Sequence, residues 1–408
     1  MKIKDLGLAL GLAVVAARLA AIETGVTDKE ILLGQSAAFS GPAKALGTEL
    51  WRGAQAAFSE ANGAGGVHGR QVRVVAYDDG YDGARTLTNT VKLIEGDKVF
   101  ALFGYVGTPT LVAALPTLLK AQPSGLFLFS DFTGAQVQRE EPFKNVVFNV
   151  RASYRQETQA LVDAFAGDLA LKKIGVFFQN DPYGQSGLDG VKRALLAKHL
   201  AVVASASYER NLPYETSMAS QVKVLKAANA DAIVMVGAYT QCAAFIRDLR
   251  AAGYQGWVAN LSFVGADALL RLLKKEGGDL TAKLVNSQVV PNWADSTIPL
   301  VAQYAAAMDK AQPHLPAELL DPSYEAQKRS FVSFEGYINA RLFLKIANAV
   351  KGDLTRAGFT QAAMTTPVDL GGFKLAFDPA KRQASNKVFF TVVKDGVWKT
   401  VPNLKGQL

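Results

Sequence analysis

The feature of this chain that most constrains its fold is a regular alternation of short apolar runs with helix-length segments between residues 30 and 290. Each run is four to eight residues long and rich in Val, Ile and Phe, which is typical of strands buried on both faces of a parallel sheet. A helix between consecutive strands returns the chain so that the next strand runs parallel to the last. The pattern therefore predicts an α/β fold built from parallel sheets. The candidate strands are Ile31–Ser36, Val72–Tyr77, Val99–Phe103, Leu126–Ser130, Val146–Val150, Ile174–Gln179, Ala201–Tyr208, Ala232–Val236 and Trp257–Leu261.

The number of strands predicts two Rossmann-like lobes. Nine strands exceed what one compact doubly wound unit usually holds, and a chain of 408 residues is long for a single core. The pattern restarts near Val150, where a new helix opens. Beyond residue 290 we expect a helix at Ile298–Ala311, a long helix at Phe331–Val350 and hairpin strands around Asp395-Gly396. The helix candidates before that point are Gly47–Asn62, Gly83–Glu95, Thr108–Lys120, Arg155–Leu169, Gly187–Lys198, Glu215–Ala228 and Gln241–Ala252.

The N-terminus resembles an export signal. Two lysines precede an apolar run from Leu6 to Ala17, which has the length of a signal-peptide core and is too short to span a bilayer. Arg18 interrupts the run, and Leu19-Ala20-Ala21 is an imperfect small-residue cleavage site. We predict that residues 1–25 are a signal peptide and that the protein is periplasmic. The alternative is an unprocessed N-terminal helix on a cytoplasmic protein.

Several functional classes are disfavoured by the composition. The 44 basic and 36 acidic residues, net charge +8, are scattered without a Lys/Arg cluster, so no nucleic-acid partner is expected. The three histidines have no ligand partner at metal spacing, and no nucleophile elbow, phosphate loop or dinucleotide fingerprint is present. We therefore predict a protein that is not an enzyme and that has no metal or cofactor. The single cysteine, Cys242, lies in an apolar run and is predicted to be buried.

Five strands are followed by loops rich in Ser, Thr, Tyr, Phe and Gly. In open α/β sheets the carboxyl ends of the strands hold ligands, and this composition suits a small molecule bound by hydrogen bonds and aromatic walls. Within these loops we predict Thr108 as the N-cap of a helix, with Pro109 at its first position, and Tyr183 at the rim of the cleft. The loops are Gly104–Thr110, Ser130–Ala135, Gln179–Gly184, Gly237–Gln241 and Ser262–Gly265.

The order of these loops resembles the type I periplasmic solute-binding proteins of branched-chain amino-acid ABC transporters, the leucine/isoleucine/valine-binding family. The similarity extends over nearly the whole chain after Gly25. It rests on six motifs in register: Ser40-Gly-Pro, Gly65-Gly-Val-His-Gly-Arg-Gln, Tyr77-Asp-Asp, Asp181-Pro-Tyr-Gly-Gln, Gly237-Ala-Tyr, and Gly371-Gly-Phe with Phe377-Asp-Pro.

The resemblance implies two α/β lobes joined by three crossings, which close over a ligand by hinge bending. It would place residues 27–148 and 286–368 in lobe 1, and residues 149–285 and 369–408 in lobe 2. The implied function is the substrate-binding component of an ABC importer, a monomer whose partners are a small-molecule ligand and an inner-membrane permease. A ligand-sensing regulator with the same cleft, not coupled to transport, is the alternative, and an α/β enzyme is a more distant one.

The resemblance also implies which residues bind the ligand. In the amino-acid binders, lobe 1 holds the ligand carboxylate and lobe 2 supplies tyrosines and an acidic residue for the ammonium. The acidic position falls at or beside Ser262, yet no Asp or Glu lies between Trp257 and Gly265. Either Asp131 replaces that acid, or the ligand is not a zwitterionic amino acid. The predicted ligand-binding residues are Ser40, Tyr105, Gly107, Thr108, Asp131, Phe132, Thr133, Tyr183, Tyr239, Ser262 and Phe263.

Overall fold

Two separate β-sheets organise the chain in the computed structural model, which describes residues 23–407. The predicted signal peptide lies outside the described residues, apart from its last three positions. The strands are β1 Glu30–Ala37, β2 Gln71–Asp78, β3 Ala101–Val106, β4 Leu128–Phe132, β5 Val147–Phe148, β6 Ile174–Gln179, β7 Val202–Tyr208, β8 Ala232–Val236, β9 Trp257–Asn260, β10 Leu284–Gln288, β11 Val368–Asp369, β12 Lys374–Leu375, β13 Phe389–Lys394 and β14 Val397–Val401.

The first sheet is parallel throughout and has the strand order β2-β1-β3-β4-β5. The second has the order β14-β13-β10-β9-β8-β6-β7, in which β10 to β7 are parallel and β13 and β14 form an antiparallel hairpin. The short strands β11 and β12 pair only with each other. The prediction of an α/β fold with two parallel sheets is confirmed.

Eleven α-helices cover the two sheets of the described chain. Helices α1 and α10 pack together, and α9 and α11 pack against them, which with α2 and α3 completes the first lobe around the first sheet. Helices α4 to α8 surround the second sheet and form the second lobe. The helices are α1 Lys44–Gly63, α2 Gly83–Val91, α3 Thr108–Ala121, α4 Tyr154–Asp163, α5 Pro182–Leu196, α6 Ala219–Ala227, α7 Tyr239–Ala251, α8 Ala266–Lys275, α9 Pro299–Ala311, α10 Phe331–Ala349 and α11 Arg356–Thr365.

The chain passes between the lobes three times, at residues 149–153, 289–298 and 366–388. Strand β10 stays in the second sheet to Gln288, so the sheet extends three residues beyond the boundary predicted at 285. All parallel strands of both sheets end towards the region between the lobes. The loops that follow them therefore face one another there, as expected for a ligand site in this architecture.

Several helix boundaries differ from the prediction for identifiable reasons. Helix α5 begins at Pro182, five residues before the predicted start, because the carboxylate of Asp181 accepts hydrogen bonds from the amides of Tyr183 and Gly184. Helices α2 and α4 end early and continue as π-helical turns, and α8 and α11 were not predicted.

A large aromatic and aliphatic core fills the space between the first sheet and the helices α1, α10 and α11. Phe129 lies at its centre, with ring centroids 5.5 Å from Phe343 and 5.6 Å from Phe359. Cys242 is fully buried in the second lobe, as predicted. Within residues 23–407, no helix is both long enough and apolar enough to cross a membrane.

Candidate functional site

The loops at the carboxyl ends of the two sheets touch each other across the space between the lobes. The Tyr239 hydroxyl accepts a hydrogen bond of 3.3 Å from the Ala45 amide, and Thr240 Oγ1 donates one of 2.7 Å to the Pro42 carbonyl. Each bond joins the N-terminal end of α7 in the second lobe to residues at the start of α1 in the first. The structure therefore describes the two lobes in contact, with Tyr239 between them.

Aromatic side chains from both lobes pack together inside this interface. The Phe263 ring centroid lies 4.6 Å from that of Tyr183, 5.4 Å from Phe132 and 6.0 Å from Tyr81. Phe132 and Tyr81 belong to the first lobe, whereas Tyr183 and Phe263 belong to the second. All four are at most 1% exposed. We call these four residues the aromatic cluster; such rings offer a large apolar contact area to a bound molecule.

The loop after β3 approaches the aromatic cluster closely. Gly107 has φ of 99°, and a Cβ atom added there would overlap the Tyr81 ring. Helix α3 begins at Thr108, so Thr108 is not the N-cap: the residue before the helix is Gly107. The Thr108 hydroxyl instead forms a 2.6 Å hydrogen bond with that of Thr133, which ties together the ends of two neighbouring strands.

A buried arginine lies beside the aromatic cluster. Arg151, in the first crossing, is 2% exposed, and its guanidinium carbon lies 4.6 Å from the Phe132 ring centroid. Nη2 donates a hydrogen bond to the Ser262 hydroxyl. Nε lies 3.6 Å from Oε1 of Glu335 on α10, and Nη2 lies 3.9 Å from Oε1 of Glu157 on α4. One guanidinium thus faces groups from both lobes.

Glu157 is fully buried and already has hydrogen-bond partners on both carboxylate oxygens. Oε2 accepts from the Ser262 amide at 2.8 Å and from the Ser287 hydroxyl at 2.7 Å. Oε1 accepts from the Ser262 hydroxyl at 3.0 Å. The charge of Glu157 is therefore used to hold the loop after β9, which carries Phe263. We call Arg151, Glu157, Ser262, Ser287 and Glu335 the polar cluster.

Two buried acids near Arg151 have raised pKa values. Burial raises the pKa of Glu335 to about 7; the charge of Arg151 opposes this rise, and those of Glu157 and Asp131 reinforce it. Burial also raises the pKa of Asp131 to about 6, against the opposing charges of Arg139 and Arg151. Asp131 Oδ2 accepts a 2.8 Å hydrogen bond from Gln138 within the first lobe.

The structure brings together most of the predicted site residues. Phe132, Tyr183 and Phe263 are in the aromatic cluster and Ser262 is in the polar cluster, while Gly107 contacts Tyr81. Tyr183 is not at the rim of the cleft: it is completely buried because α5 starts early enough to carry its ring inwards.

Two predicted residues lie elsewhere. The Tyr105 hydroxyl forms a 3.0 Å hydrogen bond with Thr90, in the smaller core between the first sheet and α2 and α3. Ser40 donates to Asp78 Oδ2 at 2.5 Å, and its amide donates to Oδ1 of the same carboxylate at 3.1 Å. Ser40 therefore stabilises the turn after β1, and its polar groups do not face the aromatic cluster.

Five residues of the two clusters were not predicted: Tyr81, Arg151, Glu157, Ser287 and Glu335. Tyr81 follows the Tyr77-Asp-Asp motif, and Arg151 directly follows a predicted strand, so both carried a positional signal. Glu335 carried none, because it lies inside a helix 184 residues after Arg151 and reaches it only through the packing of α10.

Open pockets also lie elsewhere on the protein, outside the region between the lobes. One of about 320 Å³ lies between α1 and α9, on the outer surface of the first lobe, and four of its seven lining residues are alanines. It is remote from both strand-end loop sets. We therefore assign the candidate site to the aromatic and polar clusters between the lobes.

Comparisons with known proteins identify the family to which this chain is similar. A family model described as periplasmic binding protein matches residues 30–397. Leu/Ile/Val-binding protein homolog 7 of Brucella abortus is 25% identical over 401 residues, which covers 95% of each chain. A possible leucine/isoleucine/valine-binding protein from Rhodopirellula baltica superposes with a TM-score of 0.80 at 35% identity, covering 91% of this chain and 96% of that one. A substrate-binding periplasmic protein from Ralstonia solanacearum superposes with a TM-score of 0.80 at 28% identity, covering 91% and 100%.

Proposed function

Because the chain belongs to the periplasmic binding protein family, we propose that it is the substrate-binding component of an ABC importer and works in the periplasm. It binds a small organic ligand, either amino acid-like, a carboxylate or an aromatic compound, between two closing lobes. The observation that carries this proposal is the aromatic cluster, in which rings of Tyr81 and Phe132 in one lobe meet rings of Tyr183 and Phe263 in the other.

The mechanism is a shift in the population of open and closed forms. The hydrogen bonds of Tyr239 and Thr240 to the start of α1 exist only while the lobes are closed. A ligand that contacts both lobes binds the closed form better, and it stabilises closure by that difference in affinity. An open, unliganded form and a closed, liganded form then offer a permease two different surfaces.

We further propose that the partner is an inner-membrane permease and that the protein acts as a monomer. It releases its ligand unchanged, so it is not an enzyme. The names of its relatives, which are binding proteins, support a role in binding and not in catalysis.

Ligand screening by thermal shift tests the proposal. We expect the unfolding temperature of the purified chain to rise with some members of a panel of amino acids, aliphatic and aromatic carboxylates and amides, because only ligands of the native state stabilise it. X-ray scattering with a stabilising compound should show a smaller radius of gyration than without it. A panel in which no compound shifts the midpoint would contradict the proposal.

A transport assay separates import from sensing. Cells that lack the protein should take up the labelled ligand more slowly, and export of the chain to the periplasm should be seen by fractionation. Normal uptake together with a cytoplasmic, unprocessed chain would favour the ligand-sensing regulator instead.

A further inference from the structure

We propose that Arg151 is the anchor for the ligand's carboxylate and that the ligand carries no ammonium group. The inference rests on the proposed function, since it names the chemical class of the ligand for the same cleft. The ligand would be a monocarboxylate with an apolar aliphatic or aromatic body, its acid group at Arg151 and its body against the aromatic cluster.

The first support is the hydrogen-bonding state of Arg151. A guanidinium has five N–H donors, and a buried donor without an acceptor is costly. Here Nη2 donates to Ser262, but Nε and Nη1 have no hydrogen-bond acceptor among the described residues, although both are buried. Nη2 carries a second N–H, which lies parallel either to the Nε–H or to an Nη1–H, so one edge of the guanidinium remains open to the two oxygens of a carboxylate.

The second support is the position of the Arg151 guanidinium, which lies where a ligand ammonium beside Ser262 would have to bind. Glu157 is fully hydrogen-bonded within the second lobe. Asp131 keeps one buried oxygen, Oδ1, without a hydrogen-bond partner among the described residues, but the positive charges of Arg139 and Arg151 both act on it. An ammonium placed beside Ser262 would lie close to the guanidinium that donates to that serine. Repulsion between two cations in a buried site would then oppose binding.

The third support is Glu335, which is the acid near Arg151 that changes its charge most readily around neutral pH. The charged groups that act on it are Arg151, Glu157 and Asp131, and its pKa is about 7. When Glu335 is protonated, the negative charges of Glu157 and Asp131 balance the positive charges of Arg139 and Arg151. A ligand carboxylate then meets the Nε donor of Arg151 without the anion of Glu335 opposite it, and the neutral Glu335 can itself donate a hydrogen bond.

The position of the anchor also agrees with the apolar surroundings. The Arg151 guanidinium stacks against Phe132, and Phe132 contacts Phe263 in the opposite lobe. A ligand with its acid at Arg151 would therefore extend its body along rings from both lobes. Such a ligand contacts both lobes at once, which is the condition for stabilising the closed form.

Matched ligands test the class directly, using the full chain and isothermal titration calorimetry. One series is 4-methylpentanoate, L-leucine and 3-methylbutylamine, and another is 3-phenylpropanoate, L-phenylalanine and 2-phenylethylamine. Within each series the molecules share a hydrocarbon body and differ in acid and amino groups. We expect binding of the carboxylates and at least about tenfold weaker binding of the other members. Stronger binding of an amino acid or an amine would overturn the inference while leaving the proposed binding function intact.

Variants test the anchor. Arg151→Lys keeps the charge but loses the planar pair of donors, and Arg151→Met loses both; we expect affinity for the bound carboxylate to fall about tenfold and about 100-fold or more. The control is Arg356→Lys, because Arg356 is similarly buried but donates to the Val99 and Phe100 carbonyls just before β3, at the end of that strand opposite the cleft. Circular dichroism checks that each variant is folded. Unchanged carboxylate affinity in a folded Arg151→Lys and Arg151→Met pair would overturn the assignment.

The pH dependence of binding provides a readout that does not depend on altering Arg151. Since the carboxylate binds the form in which Glu335 is protonated, we expect affinity to fall by up to about tenfold per pH unit above pH 7. Glu335→Gln should bind with an affinity that changes little between pH 6 and pH 9. If the wild-type affinity is flat across this range, or if the variant shows the same decline, the role of Glu335 is wrong. If no compound of the wider panel binds at any pH, the proposed function itself fails.

Discussion

At the scale of single residues, the site depends on residues that form hydrogen bonds with two neighbours at once. Ser262 donates hydrogen bonds from its amide and hydroxyl to Glu157 and accepts one from Arg151, so one small residue connects a helix, a crossing segment and the loop after β9. Gly107 contributes through the absence of a side chain, which leaves space for the Tyr81 ring.

Gly107→Ala is expected to destabilise the first lobe and to displace Tyr81. Alanine at φ of 99° is strained, and its Cβ would overlap the Tyr81 ring. Gly65→Ala is the matched control, with φ of 101° and no atom within 4 Å of the added Cβ. We expect about 1–2 kcal/mol of destabilisation in the control and at least about 2 kcal/mol more at Gly107, measured by urea unfolding. If both variants lose the same free energy of unfolding, the Tyr81 ring moves aside at little cost.

Tyr239→Ala is expected to weaken ligand binding by about tenfold or more without unfolding the protein. The hydroxyl links α7 to the Ala45 amide across the lobes, so its loss makes closure less favourable. Tyr239→Phe, which loses only this bond, should weaken binding about three- to tenfold. Tyr254→Phe loses a hydroxyl bonded to Trp257 within one lobe and should bind normally. Calorimetry that finds unchanged affinity in Tyr239→Ala would remove this residue from the site.

At the scale of elements, two neighbouring strands share an irregularity that decides which residues face the site. Gly104 in β3 and Ser130 in β4 have φ of 64° and 55°, at the same level of the sheet. The usual alternation of faces is interrupted at both, so that Leu102 and Tyr105, three residues apart, lie in the same smaller core. This is why Tyr105, which lies inside β3, points away from the cleft, although the sequence pattern predicted it in a loop after the strand.

Helix α10 begins at a buried capping box. The Ser330 hydroxyl accepts from the Ser333 amide at 3.0 Å, and the Ser333 hydroxyl accepts from the Ser330 amide at 3.1 Å. Because Glu335 lies in the next turn, this cap also sets its position relative to Arg151.

Ser330→Ala is expected to lower the free energy of unfolding by about 1–2 kcal/mol, since a buried cap is lost. The control is Ser220→Ala on the exposed side of α6, for which we expect a change below about 0.5 kcal/mol. Urea denaturation followed by far-UV circular dichroism gives both values. A Ser330 variant as stable as the control would mean that packing alone positions this helix.

At the scale of the whole molecule, several buried acids have raised pKa values, and this affects stability as a function of pH. Burial raises the pKa of Asp79 to about 7, although Ser36, Thr86 and the Tyr81 amide donate hydrogen bonds to it. An acid whose pKa is higher in the folded state binds more protons there than in the unfolded chain. Its stabilising contribution is therefore complete below the unfolded pKa, near 4, and is lost as the pH rises through about 7.

We accordingly expect the free energy of unfolding to decrease between pH 4 and pH 7, and we expect Asp79→Asn to reduce this slope. Asp279→Asn, at an exposed position, should leave the slope as in the wild type. Chemical denaturation at half-unit intervals of pH measures it. A slope that is the same in the wild type and in Asp79→Asn would show that the pKa of Asp79 is not raised in the folded protein.

The local pattern of the sequence determined the α/β class, the two parallel sheets, the burial of Cys242 and most strand-end loops of the candidate site. Apolar runs of strand length, separated by helix-length segments, allow few other arrangements, because each strand must be covered on both faces. Phe132, Tyr183, Ser262 and Phe263 each lie at or just after the end of such a strand, and the family resemblance implied which residues of these loops bind the ligand.

Only the tertiary structure decided how these loops meet. The partners of Arg151 come from a helix just after it, a loop about 110 residues later and a helix 184 residues later, and no local pattern encodes such pairs. Likewise, the left-handed residues in β3 and β4 moved Tyr105 away from the cleft, and the Asp181 cap moved Tyr183 inwards. Periodicity determines which side of an element is buried, whereas the identity of the buried neighbours depends on the packing of the whole chain.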